Sequence, residues 1–246
     1  MDREYEAIVR RRNRNRRPPP NEIDRIVNET FHIWFSSHVQ NMGNDISKEL
    51  RWLAKGPNIV AKQFDSYSIN GFKFRTKGCE EFLKSQNSGV VVTAKTTSYA
   101  SVRDQNPVAG DVTYYGRTKN IVELDYYGVF KVLLFKCDWV DTTIGTGLKK
   151  DAFGFTLVNF KCLVHTGEHI RHEPFILASQ AKLVYYVEDL RDSDWCVVVH
   201  VKPRDLFDMG NVDSQNEKET YSENEPYHSQ SVESIFKDNG ESSSLE

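Results

Sequence analysis

The stretch VFKVLLFKCDWVD, residues 129–141, constrains the fold of this chain more than any other. In an extended strand, successive side chains alternate between the two faces. One face therefore carries Val129, Lys131, Leu133, Phe135 and Cys137, and the other Phe130, Val132, Leu134, Lys136 and Asp138. Both sets are mainly apolar, which predicts a central strand covered on both sides over most of its length. The chain around it must then supply neighbours for two faces.

The surrounding pattern supplies them as further strands. VAKQFDSYSINGFKFRTK has two alternating runs joined by Asn70-Gly71, a dipeptide that provides the positive φ angles of a tight hairpin turn. Strand-like segments recur as GVVVTAKTTSY, DVTYYG, KNIVELDY, FGFTLVNF, EPFILA, KLVYYVED and DWCVVVHV, separated by turn-rich pieces such as RDQNPVAGD and TTIGTGLKKD. No helical periodicity lies between them, which argues against a parallel α/β sheet. The expected class is α+β, mainly β: a bent antiparallel sheet or an SH3-like (BAH- or Tudor-like) barrel.

Two helices are expected before the β region. In NEIDRIVNETFHIWFSSHV, Ile23, Ile26, Val27, Phe31, Trp34 and Phe35 make one apolar face, with Asn21 as N-cap. DISKELRWLAKGP carries Ile46, Leu50 and Leu53 on one side, with Asp45 as cap and Gly56-Pro57 as stop. The expected organisation is a disordered basic arm at 1–20, a helical segment at 21–58, a β-rich domain at 59–205 and a disordered acidic tail at 206–246.

Charge separates the two ends. Residues 1–17 hold seven arginines against three acids, and residues 211–246 hold nine acids against two lysines, which leaves the middle neutral within a total of −3. Arg10, Arg11, Arg12, Arg14, Arg16 and Arg17 precede three prolines, a pattern that suits an extended arm. Such a run can neutralise phosphates and release counterions, or serve as a nuclear import signal. No stretch has the roughly 18 apolar residues of a membrane helix, and the N-terminus lacks an apolar signal-peptide core. Four dispersed cysteines without a CxxC pair fit a reducing compartment. The chain reads as soluble and intracellular, with a nuclear destination.

Asp138 and Asp141 pose the sharpest catalytic question, because an aspartate ending a buried strand is the first ligand of many two-metal nucleases. That chemistry needs further carboxylates converging on the same cations. The other acids, Asp151, Asp189, Asp192 and Asp194, fall in turns, so Asp138 and Asp141 read as strand-ending, turn-forming residues. Cys162 and His165 have CxxH spacing, with His169, His172 and Cys196 further on, but only one close pair exists where structural zinc generally uses two. No metal, cofactor or small-molecule substrate is expected, and the chain is not expected to be an enzyme. Tyr114, Tyr115, Tyr126, Tyr127 and Trp139 cluster near strand ends and form a candidate aromatic surface, either a cage for methylated lysine or a platform for bases.

Seven segments in order carry a family resemblance: LAKGPN (53–58), INGFKFRTK (69–77), SQNSGVVVTA (85–94), VTYYGRTKNIVELDY (112–126), VLLFKCDWVD (132–141), FGFTLVNF (153–160) and EPFILASQAKLVYYVED (173–189). Together they resemble proteins of plant CACTA-type (En/Spm-like) transposons, in the domain of unknown function that follows the transposase catalytic domain. The resemblance spans about residues 30–200. It implies a transposase-associated accessory module without catalytic residues of its own. Its expected partners are DNA or chromatin, or other transposon-encoded proteins with which it would assemble.

Overall fold

The computed structural model describes residues 1–43, 46–81, 83–98, 104, 106–164, 172–203 and 228–231. These fall into two compact units. One comprises Met1–Pro57, Ala94–Val112 and Asp125–Phe130; the other comprises Asn58–Thr93, Thr113–Leu124 and Lys131–Glu246. The fold is mainly β, built on an antiparallel sheet with few helices.

The first unit is built on three helices: α1 (Asp2–Arg12), α2 (Pro20–Asn41) and α3 (Lys48–Lys55). The first of these corrects the expected extended arm. Tyr5, Ile8 and Val9 are spaced as an apolar stripe, and Tyr5 and Val9 are buried against Ile23 and Val27 of α2. The Tyr5 ring stacks on Trp34 at 4.8 Å, and its hydroxyl lies 2.8 Å from Thr30 Oγ1. Asp2 and Glu4 in the first turn and Arg10, Arg11 and Arg12 in the last match the helix dipole. The prolines do the work expected of Asn21: Pro19 is extended at the N-cap and Pro20 opens α2, whose pre-set φ suits a first helical turn. Asn21 lies within that turn. Asp45 is outside the described residues, and α3 is capped by Ser47, whose hydroxyl accepts from the Leu50 amide.

In the second unit, β1 (Val60–Phe64) is followed by the hairpin β2 (Ser66–Ile69) and β3 (Phe72–Arg75). Asn70 and Gly71 both have positive φ at its tip, as their dipeptide requires. A short helix, α4 (Lys77–Glu80), precedes the long strands β4 (Gly89–Ser98), β5 (Val108–Tyr126) and β6 (Phe130–Val140). DVTYYG and KNIVELDY, read as separate strands, are one continuous β5. The remaining strands are β7 (Leu148–Lys150), β8 (Thr156–Val158), β9 (Leu163–Val164), β10 (Phe175–Leu177), β11 (Lys182–Glu188), β12 (Cys196–His200) and β13 (His228–Ser231). The strand β7 lies in a segment read as turn.

The main path runs β10-β6-β5-β4-β11-β12-β8-β7, with β1 on β5, β13 on β1 and β9 on β6. The two ends of the path do not pair, so among the described residues the sheet is open; no closed barrel forms. The acidic tail, read as disordered, is corrected at four residues: β13 pairs antiparallel with β1, where backbone groups of an edge strand find partners. The rest of 206–246 lies outside the described residues.

As its pattern requires, β6 is buried on both faces toward its end, at Phe135, Lys136, Cys137, Trp139 and Val140. Phe135, Cys137 and Trp139 join Phe64, Phe74, Val90 and Ile121 in one core, while Val140 joins Tyr115, Val184 and Tyr186 in a second. A locking contact sits at Gly116 of β5. A Cβ there would come within 2.7 Å of the Trp139 ring and 2.8 Å of the Asp138 carbonyl. The buried Tyr186 hydroxyl is placed to donate to the Gly116 carbonyl at 2.9 Å, with the Val90 carbonyl at 3.2 Å.

Two substitutions test this junction in urea denaturation. Gly116→Ala overpacks the Trp139 contact and is expected to cost about 1–3 kcal/mol. Tyr186→Phe leaves a buried carbonyl without its donor and is expected to cost about 1–3 kcal/mol. Parent-like midpoints in both would show that the junction does not hold the strands together.

Candidate nucleic-acid interface

The six arginines of the basic run lie at the end of α1 and in the turn after it, and all six are exposed. Backbone bonds from Arg16 and Arg17 to the Asn13 carbonyl close that turn, and Arg17 takes a positive φ of 45°. The Asn13 side chain donates to the Val9 carbonyl and helps end the helix. Arg10 is engaged with Glu6, four residues earlier, at 2.7 Å. The run is thus mounted on a packed helix. Mounting lowers the entropy lost when arginines are ordered against a polyanion.

The aromatic surface is corrected at four of its five residues. Alternation along β5 sends Tyr114 and Tyr115 to opposite faces, and both faces are covered. Tyr114 packs edge-on to Trp139 in the first core, and Tyr115 is buried in the second. Trp139 is 3% exposed, and its indole N–H donates to the Pro174 carbonyl. Tyr126 is buried and stacks on Phe130 at 4.5 Å. Tyr127 alone is open to solvent, at 42%, in the left-handed region of the β5–β6 turn. Its ring lies 5.0 Å from that of Trp52, and the Lys55 ammonium sits 3.8 Å from Tyr127 and 4.6 Å from Trp52. Trp52 and Lys55 were read only as helix residues and not as part of a surface, because only the tertiary turn brings α3 to Tyr127.

The acids have structural partners. Asp138 lies inside β6 rather than at its end, and its carboxylate is 3.2 Å from the Lys119 ammonium. Asp141 follows the strand and accepts from the Thr143 amide at 2.8 Å, a side chain-closed turn. Asp151 and Asp189 accept from backbone amides two residues on in the same way. Lys149 and Lys161 pair with Asp192 and Asp194. Of the CxxH pair, Cys162 is half-buried, while His165 and His169 lie outside the described residues. Cys196 is buried in β12. Among the described residues, no group of three or more His, Cys, Asp or Glu could hold a metal ion, and no helix is long and apolar enough to cross a membrane.

A family model described as Domain of unknown function (DUF4216) matches residues 122–198. That family is known from plant transposase-related proteins. The match begins within β5 and ends within β12, so it takes in β6 and part of each core but not the arginine run. Curated proteins and solved structures give no match.

Within the DUF4216 match, Cys137 is fully buried, and burial pushes its thiol well above the usual range even though the Thr118 hydroxyl beside it acts the other way. The unfolded chain releases that proton near pH 8.5, whereas the folded chain keeps it. The contribution is fully present below the unfolded value and is lost as pH rises above it, by up to about 1.4 kcal/mol per pH unit. Urea midpoints measured across about pH 8–10 should therefore fall less steeply in Cys137→Ala than in the parent chain. Equal slopes would show that the thiol titrates alike in both states.

Proposed function

We propose that the chain is a non-catalytic accessory module of a transposon-derived, transposase-associated protein of the CACTA type, and that it works in the nucleus by contacting DNA or chromatin. Arg10, Arg11, Arg12, Arg14, Arg16 and Arg17 make the contact. The observation that carries this reading is their exposure in one run on a helix anchored by Tyr5 and Val9. Each guanidinium that meets a phosphate releases counterions, so affinity rests on charge and not on base identity. The DUF4216 match supports the transposase association. The engagement of Asp138 by Lys119 supports a role without metal-ion chemistry.

A protein-interaction role, assembling transposon-encoded subunits, is favoured by a different observation. The register of β11 and β12 sets Tyr185 opposite Val199 and Val187 opposite Val197 on one face, and Tyr185, Val187 and Val199 are exposed. Apolar strand faces of this kind are characteristic of contact surfaces.

Binding to a short DNA duplex between about 50 and 200 mM salt separates the two. The arginine contact predicts log affinity falling with log salt at a slope of about −4 to −5, for five or so neutralised phosphates. Replacing all six arginines with glutamine should flatten that slope and remove most of the affinity. The same weak affinity and the same slope in parent and variant would leave the assembly role as the better reading.

A further inference from the structure

Arg117 lies on β5 in the second unit, where its guanidinium is 3.9 Å from the Phe160 ring centroid and 5.5 Å from that of Tyr186. Its positive charge also acts on the Cys196 thiol, holding that thiol's pKa down against the rise that burial causes. Two rings flank the fork, yet among the described residues no carboxylate forms an ion pair with it. Half-buried guanidinium groups ordinarily find a carboxylate or phosphate partner.

Arg117 also lines an open cleft of about 590 Å³, together with Lys77, Lys84 and Ser85. Neither lysine has an ion-pair partner among the described residues. Ser85 Oγ accepts from Arg75, which leaves its hydroxyl hydrogen for an incoming acceptor. The cleft wall is fixed. Gln86 bonds both backbone groups of Tyr186 through its side-chain amide, and Glu80 accepts from the Asn87 and Ser88 amides and the Ser88 hydroxyl. Glu80 is thereby taken up by its own loop.

We propose that this cleft binds a small ligand carrying one phosphate group, free or esterified, with Arg117 as the bidentate anchor and Lys77 and Lys84 as the charges around it. A planar fork, two point charges and a hydroxyl donor suit the oxygens of a phosphate better than the two of a carboxylate. The lining favours a single phosphate over a nucleic-acid backbone. Three cations stand against two carboxylates, Glu80 and Glu81, a net of +1, and exposed Glu81 repels a run of phosphates.

The full chain should be titrated with inorganic phosphate and, separately, with phenyl phosphate, reading backbone amide shifts. Saturable shifts at the cleft are expected, and the two probes distinguish a free anion from an ester as the preferred source. Arg117→Gln should weaken binding by about tenfold or more, and Arg117→Lys should lose part of that, because the charge remains while the fork does not. If Arg117→Gln folds poorly, Lys77→Gln with Lys84→Gln alters only exposed side chains and should still weaken binding severalfold at an unchanged melting temperature. Neutralising Arg10 to Arg17 should leave phosphate binding intact, which keeps this result separate from the DNA contact. No saturable shift with either probe, or parent-like binding in both Arg117→Lys and the double lysine variant, would overturn the proposal.

Discussion

The second unit depends on the close approach of β5, β6 and β11 around Gly116. The edge atoms of the Trp139 ring crowd a position with no side chain, and the Tyr186 phenol reaches over to the carbonyls of Gly116 and Val90. That one buried hydroxyl links strands far apart in sequence. Burial raises the Tyr186 pKa well above its ordinary value, which favours keeping the proton that the bond needs. The two cores share this point: Trp139 belongs to one and Tyr186 to the other. Arg117, the next residue along β5, is then carried against the Tyr186 and Phe160 rings. A structural junction and a ring-flanked guanidinium with no ion pair among the described residues are thus products of one local geometry.

Much of this was legible from residue order. The two-faced burial of β6, the Asn70-Gly71 turn, the apolar face of α2 and the antiparallel class all follow from local periodicity and turn chemistry. What escaped was set by contacts distant in sequence. The helical start of α1 was masked by its arginines, because a stripe of three apolar residues becomes significant only when α2 is there to cover it. A short strand such as β7, three residues long, carries too little pattern to stand apart from a turn. Tyr114 and Tyr115, adjacent in sequence, were read as part of an aromatic surface because they fall near the end of an expected strand. In a strand that adjacency guarantees opposite faces, and whether both faces are covered depends on elements elsewhere in the chain.

The candidate contacts divide along the same line. The arginine run was visible from the first residues, since charge density needs no tertiary structure to be recognised. The Arg117 cleft was not, because Lys77, Lys84 and Arg117 are dispersed in sequence and meet only in the folded chain. Matching acids would have disguised the cleft as an ion-pair network; Glu80, which could have supplied one, instead closes the loop at Asn87 and Ser88. The family model known from plant transposase-related proteins matches residues 122–198, and both charged features involve residues that precede the match in sequence.

Amide hydrogen exchange of the whole chain, with and without a short DNA duplex at low salt, tests the central claim most directly. Contact through the basic helix end predicts slowed exchange confined to residues 10–17, with 112–141 unchanged. Slowing at 132–141 while 10–17 exchange as in the free chain would contradict it, and would return the strand around Asp138 to the centre of the protein's function.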